Sequence, residues 1–309
     1  MENQNNVTEF ILLGLFKSQK VKMTCFIIFL FCYCAIVFGN VIIFITIICS
    51  HLIQQPMYYF LCHLSYMDLA YTSTVVPRLL RDLIAKQKYI SYNSCMTQLF
   101  TSHFLAGVEV FILVSMAFDR YVAICKPLHY MIIVNRQRCN IMLLMAWLVA
   151  FWHGIAQMIM VIRLPFCGPN LVDHYICDVK ALLKLVCTDT RIPNILVIAN
   201  TGMVVLVTFL VLVASYIVIL YNLRNHTSDA RRKALSTCAS HVMVVVLFFV
   251  PCIATYVPPS NANQNDKEFS MFYTVIAPMM NPLIYTLRNT EMKNAMQKVW
   301  LEKLFLIFK

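Results

Sequence analysis

Reading the chain for apolar runs of about 20 residues, the length a helix needs to cross a bilayer, predicts seven membrane spans. They lie at approximately 23–49, 57–80, 95–121, 139–162, 195–221, 236–258 and 269–287. The connecting segments are short except for 163–194, and a polar stretch at 222–235 separates the fifth and sixth runs. The predicted fold is an all-α membrane protein, a seven-transmembrane helix bundle. Residues 1–22 form an outer N-terminal segment, 23–287 the transmembrane domain and 288–309 a cytoplasmic tail. Within the tail, Met292, Met296, Val299 and Trp300 recur at helical spacing, which predicts a short amphipathic helix lying in the interface. Residues 1–22 are polar and mixed, so the first span is expected to act as a signal anchor. The chain has no internal repeat and no low-complexity segment.

Composition supports lipid as the main solvent. Hydrophobic residues make up 60% and charged residues 13%, against about 25% charged in an ordinary soluble domain. The net charge of +11 could suggest nucleic acid, but the Lys and Arg residues sit in short segments between apolar runs, as membrane proteins distribute them. A nucleic-acid partner is not expected. Charge does not orient the chain. With the N-terminus outside, 12 of the 25 Lys and Arg fall on the outer side, a tie. Two features favour that placement: the glycosylation acceptor Asn6-Val7-Thr8, and the gathering of Cys95, Cys167, Cys177 and Cys187 on the N-terminal, oxidising side. Four such cysteines allow three pairings.

The costly residues are those that lie inside the spans. At 1.5 Å per residue, Asp68 lies roughly 16 Å, Glu109 about 18 Å and Asn40 roughly 14 Å from the cytoplasmic side. Two acids and an amide at one level should converge inside the bundle, joined by Asn281. Two buried carboxylates repel, so either one is protonated or a cation sits between them. The cluster reads either as a sodium- or water-filled site or as a hydrogen-bonded knot that fixes packing. No other cofactor is expected. Asp119-Arg120-Tyr121 ends the third span, and Asn281-Pro282 with Tyr285 interrupts the seventh at similar depth. Alone, the Asp-Arg pair reads as charges snorkelling to the interface. Together the two groups point to a cytoplasmic switch, with Pro282 a plausible pivot.

The whole chain resembles a vertebrate olfactory receptor of the rhodopsin-like G-protein-coupled class, tetrapod-type. The residues that carry the resemblance are Gly39-Asn40, Pro56 to Leu61 with Leu64-Ser65 and Asp68, Met116 to Cys125 with Pro127 to Tyr130, and Ser215-Tyr216. Lys233-Ala-Leu-Ser-Thr-Cys-Ala-Ser-His241 and Pro278 to Tyr285 with Leu287-Arg288-Asn289 complete it. Departures are Phe118 for the usual Tyr, Met280 for the usual Leu, Phe249-Val250 for the common Tyr-Gly, and Lys180 where the family more often carries Pro or another uncharged residue.

The resemblance implies a receptor without enzymatic chemistry, in the plasma membrane, that binds a small volatile odorant and activates a stimulatory olfactory-type G protein to raise cyclic AMP. It implies the pairings Cys95–Cys177 and Cys167–Cys187, making a lid. It implies that Arg120 is held at rest and released toward Tyr216 and Tyr285, with His241 near its neighbourhood. His174-Tyr-Ile-Cys177-Asp178 also resembles a proposed metal-binding motif, but a disulfide-bonded Cys177 has no thiolate to offer. A pocket under the lid is expected from Ser102, His103 and Ala106, about 10–17 Å into the third span. Asn200, Cys252, Ile253, Tyr256 and Thr274 lie at compatible depths. Lys180 would favour an acid or carbonyl ligand if its side chain pointed inward, but reads rather as a solvated loop residue. Arg224, Arg231, Arg232 and Lys233 could meet the G protein or anionic lipid. The competing class is a transporter using Asp68 and Glu109, opposed by the absence of an inverted repeat.

Overall fold

A computed structural model describes residues 7–16, 18–85, 87–167, 170–224, 227–258, 266–287 and 289–307. Asn6 lies outside the described residues. Helices dominate: α1 (Gln19–Ile48), α2 (Pro56–Ile84), α3 (Tyr92–Cys125), α4 (Arg136–Ile162), α5 (Arg191–Leu223), α6 (Ser228–Tyr256), α7 (residues 266–287) and α8 (Thr290–Ile307). Each apolar run extends into a helix somewhat longer than the run itself, because polar residues at the ends cap or continue it. Pro56 opens α2 at its first turn, where a missing N–H costs nothing. Ser91 and Asn135 accept the Ser94 and Arg138 N–H groups at the starts of α3 and α4. Helices α5 and α7 each contain a wider π-helical turn, at Ile198–Gly202 and Phe272–Ile276.

Among the described residues, α1, α3, α4, α5 and the Ala234–Tyr256 part of α6 are long and apolar enough to cross a membrane. Helix α2 falls short because His63, Asp68, Arg78, Arg81 and Asp82 dilute it; α7 does so because Ser270, Tyr273, Thr274, Pro278, Asn281 and Pro282 interrupt its apolar stretch. Much of the apolar surface points outward. Phe31 is 72% exposed and Trp152 65%, which fits a lipid-facing perimeter. The tail is helical, and Met292, Ala295 and Val299 are buried. Trp300 Nε1 donates to Thr46 Oγ1 at 3.1 Å, so α8 folds back against α1.

Helix α3 is central, packing against α2, α4 and α5. Close approaches use glycine: a Cβ at Gly39 would sit 3.0 Å from Pro282 Cβ of α7, and one at Gly107 3.0 Å from Ala150 Cβ of α4. At the end of the bundle where α3 begins, β1 (Glu9–Leu12) pairs antiparallel with β2 (Tyr89–Ser91) and parallel with β3 (Leu171–Val172). This small sheet joins the N-terminal segment to the long 163–190 loop. The loop also carries a one-turn helix, Val179–Leu183, started by the Asp178 carboxylate accepting the Lys180 N–H.

Candidate functional site

The long loop forms a lid. Cys95 at the start of α3 is bonded to Cys177, and Cys167 to Cys187 within the loop, with Cα separations of 5.4 and 5.5 Å. Gln98 of α3 reinforces the first link, its Oε1 accepting the Cys177 N–H at 3.1 Å. Two residues of the loop reach α6. Asp178 Oδ2 accepts the Tyr256 hydroxyl at 2.7 Å. Lys180 Nζ donates to the Thr255 carbonyl, and to the Pro258 carbonyl at 2.7 Å. Lys180 is thus 2% exposed, which overturns the solvated reading. The backbone at the end of α6 supplies acceptors that a loop residue alone would lack.

Burial works to raise the Asp178 pKa. It is outweighed by the nearby His174 and His103 imidazoles, the Tyr256 hydroxyl and the Lys180 amide, so the carboxyl lies below its usual range. Burial lowers the Lys180 ammonium. His174 is lowered to about 4, chiefly by burial; its Nδ1 accepts the Ile176 N–H at 3.2 Å. That ring is occupied inside the loop, and Cys177 is in a disulfide. Among the described residues no group of three or more His, Cys, Asp or Glu side chains gathers to hold a metal.

Directly beneath the lid lies a cavity of about 60 Å³. Of the predicted pocket residues, Ser102, His103, Ala106, Cys252 and Tyr256 line it. Asn200, Ile253 and Thr274 are not on its wall. Asn200 Oδ1 meets His153 Nδ1 at 3.0 Å, and it is His153 that faces the cavity. Thr274 bonds the Tyr175 hydroxyl at 2.9 Å behind the wall, and Ile253 is packed into the core. Sequence reasoning missed His153, Tyr71, Asp178, Phe248 and Tyr273, all on the wall. His153 carried a signal, a polar side chain in an apolar run; Tyr71, Phe248 and Tyr273 required knowing which helix faces turn inward, and Asp178 where the loop folds. The wall mixes aromatic rings with few polar atoms. His103 packs edge-on to both His153 and Tyr256, with ring centroids 5.9 Å apart in each pair. Ser102 Oγ is buried with no partner among the described residues. Among the described residues, no Lys or Arg lines this cavity.

Midway along the bundle, Asn281 Nδ2 donates to both oxygens of Asp68, at 3.1 and 2.9 Å. Asn40 donates to the Ile36 and Pro278 carbonyls at 3.1 and 3.2 Å, linking α1 to α7. Glu109 is 2% exposed. Three acceptors here, Asn40 Oδ1, Glu109 Oε1 and Asn281 Oδ1, have no donor among the described residues. An all-oxygen set of this kind fits waters or a hard cation.

At the opposite end, Asp119 is fully buried. Its Oδ1 accepts the Tyr130 hydroxyl at 2.7 Å, and Oδ2 lies 3.4 Å from the Arg120 guanidinium. Arg120 and Tyr285 line a polar cavity of about 740 Å³ together with Tyr58, Asp229, Arg232 and Glu291. The Tyr216 hydroxyl is hydrogen-bonded to His241 Nδ1, tying α5 to α6. Tyr121 points elsewhere, into a groove between α3 and α5 shared with Phe118 and Ser215. Pro282 sits inside α7, its carbonyl accepting Thr286 Oγ1 at 2.6 Å.

A helical, multi-pass membrane protein with a small, mostly apolar cavity under a lid at one end and a larger one lined by polar residues at the other has the form of a receptor. A family model described as olfactory receptor matches residues 29–303. Human olfactory receptor 4S2 is 52% identical over 306 residues, covering 99% of this chain and 98% of the relative. Mouse olfactory receptor 4B13 is 52% identical over 303 residues (98% and 99%), and human olfactory receptor 4B1 is 50% identical over 303 residues (98% of each). The chain belongs to the olfactory receptor family, a family of G-protein-coupled receptors and not of enzymes. Its relatives support an odorant-receptor function and do not favour a transporter.

Proposed function

We propose that the chain is a plasma-membrane odorant receptor with seven spans and an extracellular N-terminus. A small volatile molecule held under the lid would shift the bundle toward a conformation that admits a stimulatory olfactory-type G protein at the Arg120 end, raising cyclic AMP. The observation that carries this reading is the pair of cavities at the two ends of α3 and α6, one beneath the lid and mostly apolar, the other larger and lined by polar residues around Arg120. A ligand can drive such a change only by binding one conformation better than the other. The lid contacts to Tyr256 and the Tyr216–His241 bond both fall on α6, so ligand contact at one end bears on the helix that borders the other cavity.

The first cavity also bounds the ligand. About 60 Å³ of water-accessible space corresponds to roughly four to six waters, so the resting site suits a compact molecule and must expand for a longer one. With Asp178 on the wall and no cationic side chain there, the site favours a neutral odorant bearing a hydroxyl or carbonyl over a carboxylic acid. Ser102 Oγ and the Tyr273 hydroxyl are hydrogen-bonding groups such a ligand would meet. At mid-bundle, Asp68, Glu109, Asn40 and Asn281 would hold a sodium ion, which would balance charge on the two acids, or waters that meet their unpartnered oxygens.

A matched panel of short-chain alcohols, ketones and acids, applied to cells expressing tagged receptor with the olfactory-type G protein, tests this reading. Neutral members should raise cyclic AMP, Ser102→Ala should weaken the response, and Arg120→Gln should abolish it at equal surface expression. A full response from Arg120→Gln would refute the coupling, and a preference for acids would refute the ligand class.

A further inference from the structure

The end of α6 has an unusual problem and an unusual solution. In an α-helix each carbonyl accepts the N–H four residues later, and the last turn is left without donors. Here the chain continues Tyr256-Val-Pro-Pro259, so the residue four beyond Thr255 is a proline with no N–H to give. The Thr255 carbonyl nevertheless lies in a buried setting, where an unmet acceptor is costly. Lys180 supplies the missing donor from the lid, and its ammonium bridges to Pro258 as well. A cation is also the favoured partner at the negative end of a helix dipole.

The position of Lys180 gives this contact leverage. Cys177 fastens the loop to α3, and Asp178 and Lys180 fasten the same few residues to α6. Cys177, Asp178 and Tyr256 are themselves cavity wall. These contacts hold the loop over the cavity against the outer tip of α6. Of its two side-chain grips on α6, the Lys180 ammonium is the one that satisfies main-chain acceptors, which no side-chain substitution in α6 can remove.

We propose that Lys180 is a latch residue: its ammonium, seated on the Thr255 and Pro258 carbonyls, holds the lid onto α6 and sets how often the cavity opens. Opening can be read without any odorant. Cys252 is a free thiol on the cavity wall, 5% exposed, so its reaction with a small reagent added outside the cell reports access through the roof.

The probe is the fixed-charge, membrane-impermeant 2-(trimethylammonium)ethyl methanethiosulfonate on intact cells displaying the full-length receptor, with the labelled fraction of the Cys252 peptide followed by mass spectrometry against time. Lys180→Met, which keeps the length of the side chain and removes the charge, should label several-fold faster than wild type. Lys180→Arg, which keeps donors for both carbonyls, should label close to wild type. Should Lys180→Met fail to reach the surface, Lys180→Gln, with one neutral donor, should give an intermediate rate. Equal rates for wild type and the neutral variant, or equal acceleration by Met and Arg, would overturn the latch. Because no odorant or G protein enters the measurement, its failure is separate from failure of the receptor reading.

Discussion

Tyr256→Phe isolates one atom at the junction of lid, cavity and α6. The hydroxyl donates to Asp178 Oδ2 at 2.7 Å, with Tyr256 and Asp178 only 7% and 6% exposed. Phenylalanine keeps the ring against His103 and Tyr273, so packing is retained. Asp178 keeps the Lys180 amide on Oδ1 at 2.9 Å and loses the other donor. A hydrogen bond to a charged group is worth about 1.5–3 kcal/mol, a factor of about 10 to 150 in an equilibrium or rate constant. Membrane proteins commonly inactivate irreversibly, so the measurement is the half-life of detergent-solubilised receptor at one fixed temperature. Tyr256→Phe should shorten it about tenfold or more if the bond is broken in the transition state for unfolding. Asp178→Ala removes more than this bond, so the pair term comes from the double-mutant cycle. A coupling of about 1.5 kcal/mol or more is expected, and single effects that add to within about 0.5 kcal/mol would refute the reasoning.

Further outcomes follow from contacts elsewhere in the molecule. His174 is held near pKa 4 by burial, against 6.5 when free. The unfolded chain therefore binds the extra proton more readily, and stability is full above about pH 6.5 and declines as pH falls toward 4. Between pH 7.4 and 5.5 the loss should be about 1 kcal/mol, read as a shorter half-life in acid; a pH slope unchanged in His174→Gln would remove this residue as its source. Asp178, Asp173, Lys267 and Lys184 are the charges nearest that ring. Asn281→Ala strips both donors from the 1%-exposed Asp68 carboxylate and should cost about 1.5–3 kcal/mol. Reduced surface display restored by Asn281→Gln is the expected pattern, and full display of the alanine variant contradicts it. At Gly202 a Cβ would lie 3.0 Å from the Tyr256 carbonyl. Backbone cannot yield as a side chain tip can, so Gly202→Ala should cost about 1–3 kcal/mol in overpacking. A half-life equal to wild type would show that α5 and α6 can separate there freely.

The candidate site was partly legible in sequence because depth along a helix is simple arithmetic. Ser102, His103, Ala106, Cys252 and Tyr256 lie at the right level and also on the inward faces. Asn200 and Thr274 share that level but are turned or committed elsewhere, Asn200 to His153 and Thr274 to Tyr175. Rotation about each helix axis is decided by neighbours, and α5 and α7 each contain a π-helical turn that shifts the phase of every later residue. Asp178 and Lys180 were harder still. A loop residue has no periodicity to place it, and a lysine in a polar stretch looks solvated until its acceptors are known.

What the chain settles by itself is its solvent and its punctuation. Long apolar runs are thermodynamically committed to lipid whatever they touch, and caps such as Ser91, Pro56 and Asn135 act within their own first turns. Tertiary structure alone decided the partners of the polar groups: Asn281 for Asp68, Tyr130 for Asp119, and the α6 carbonyls for Lys180. The physical reason is range. Burial and capping energies depend on composition and on neighbours a few residues away, whereas a hydrogen bond between residues 75 or 213 positions apart exists only after the helices have packed.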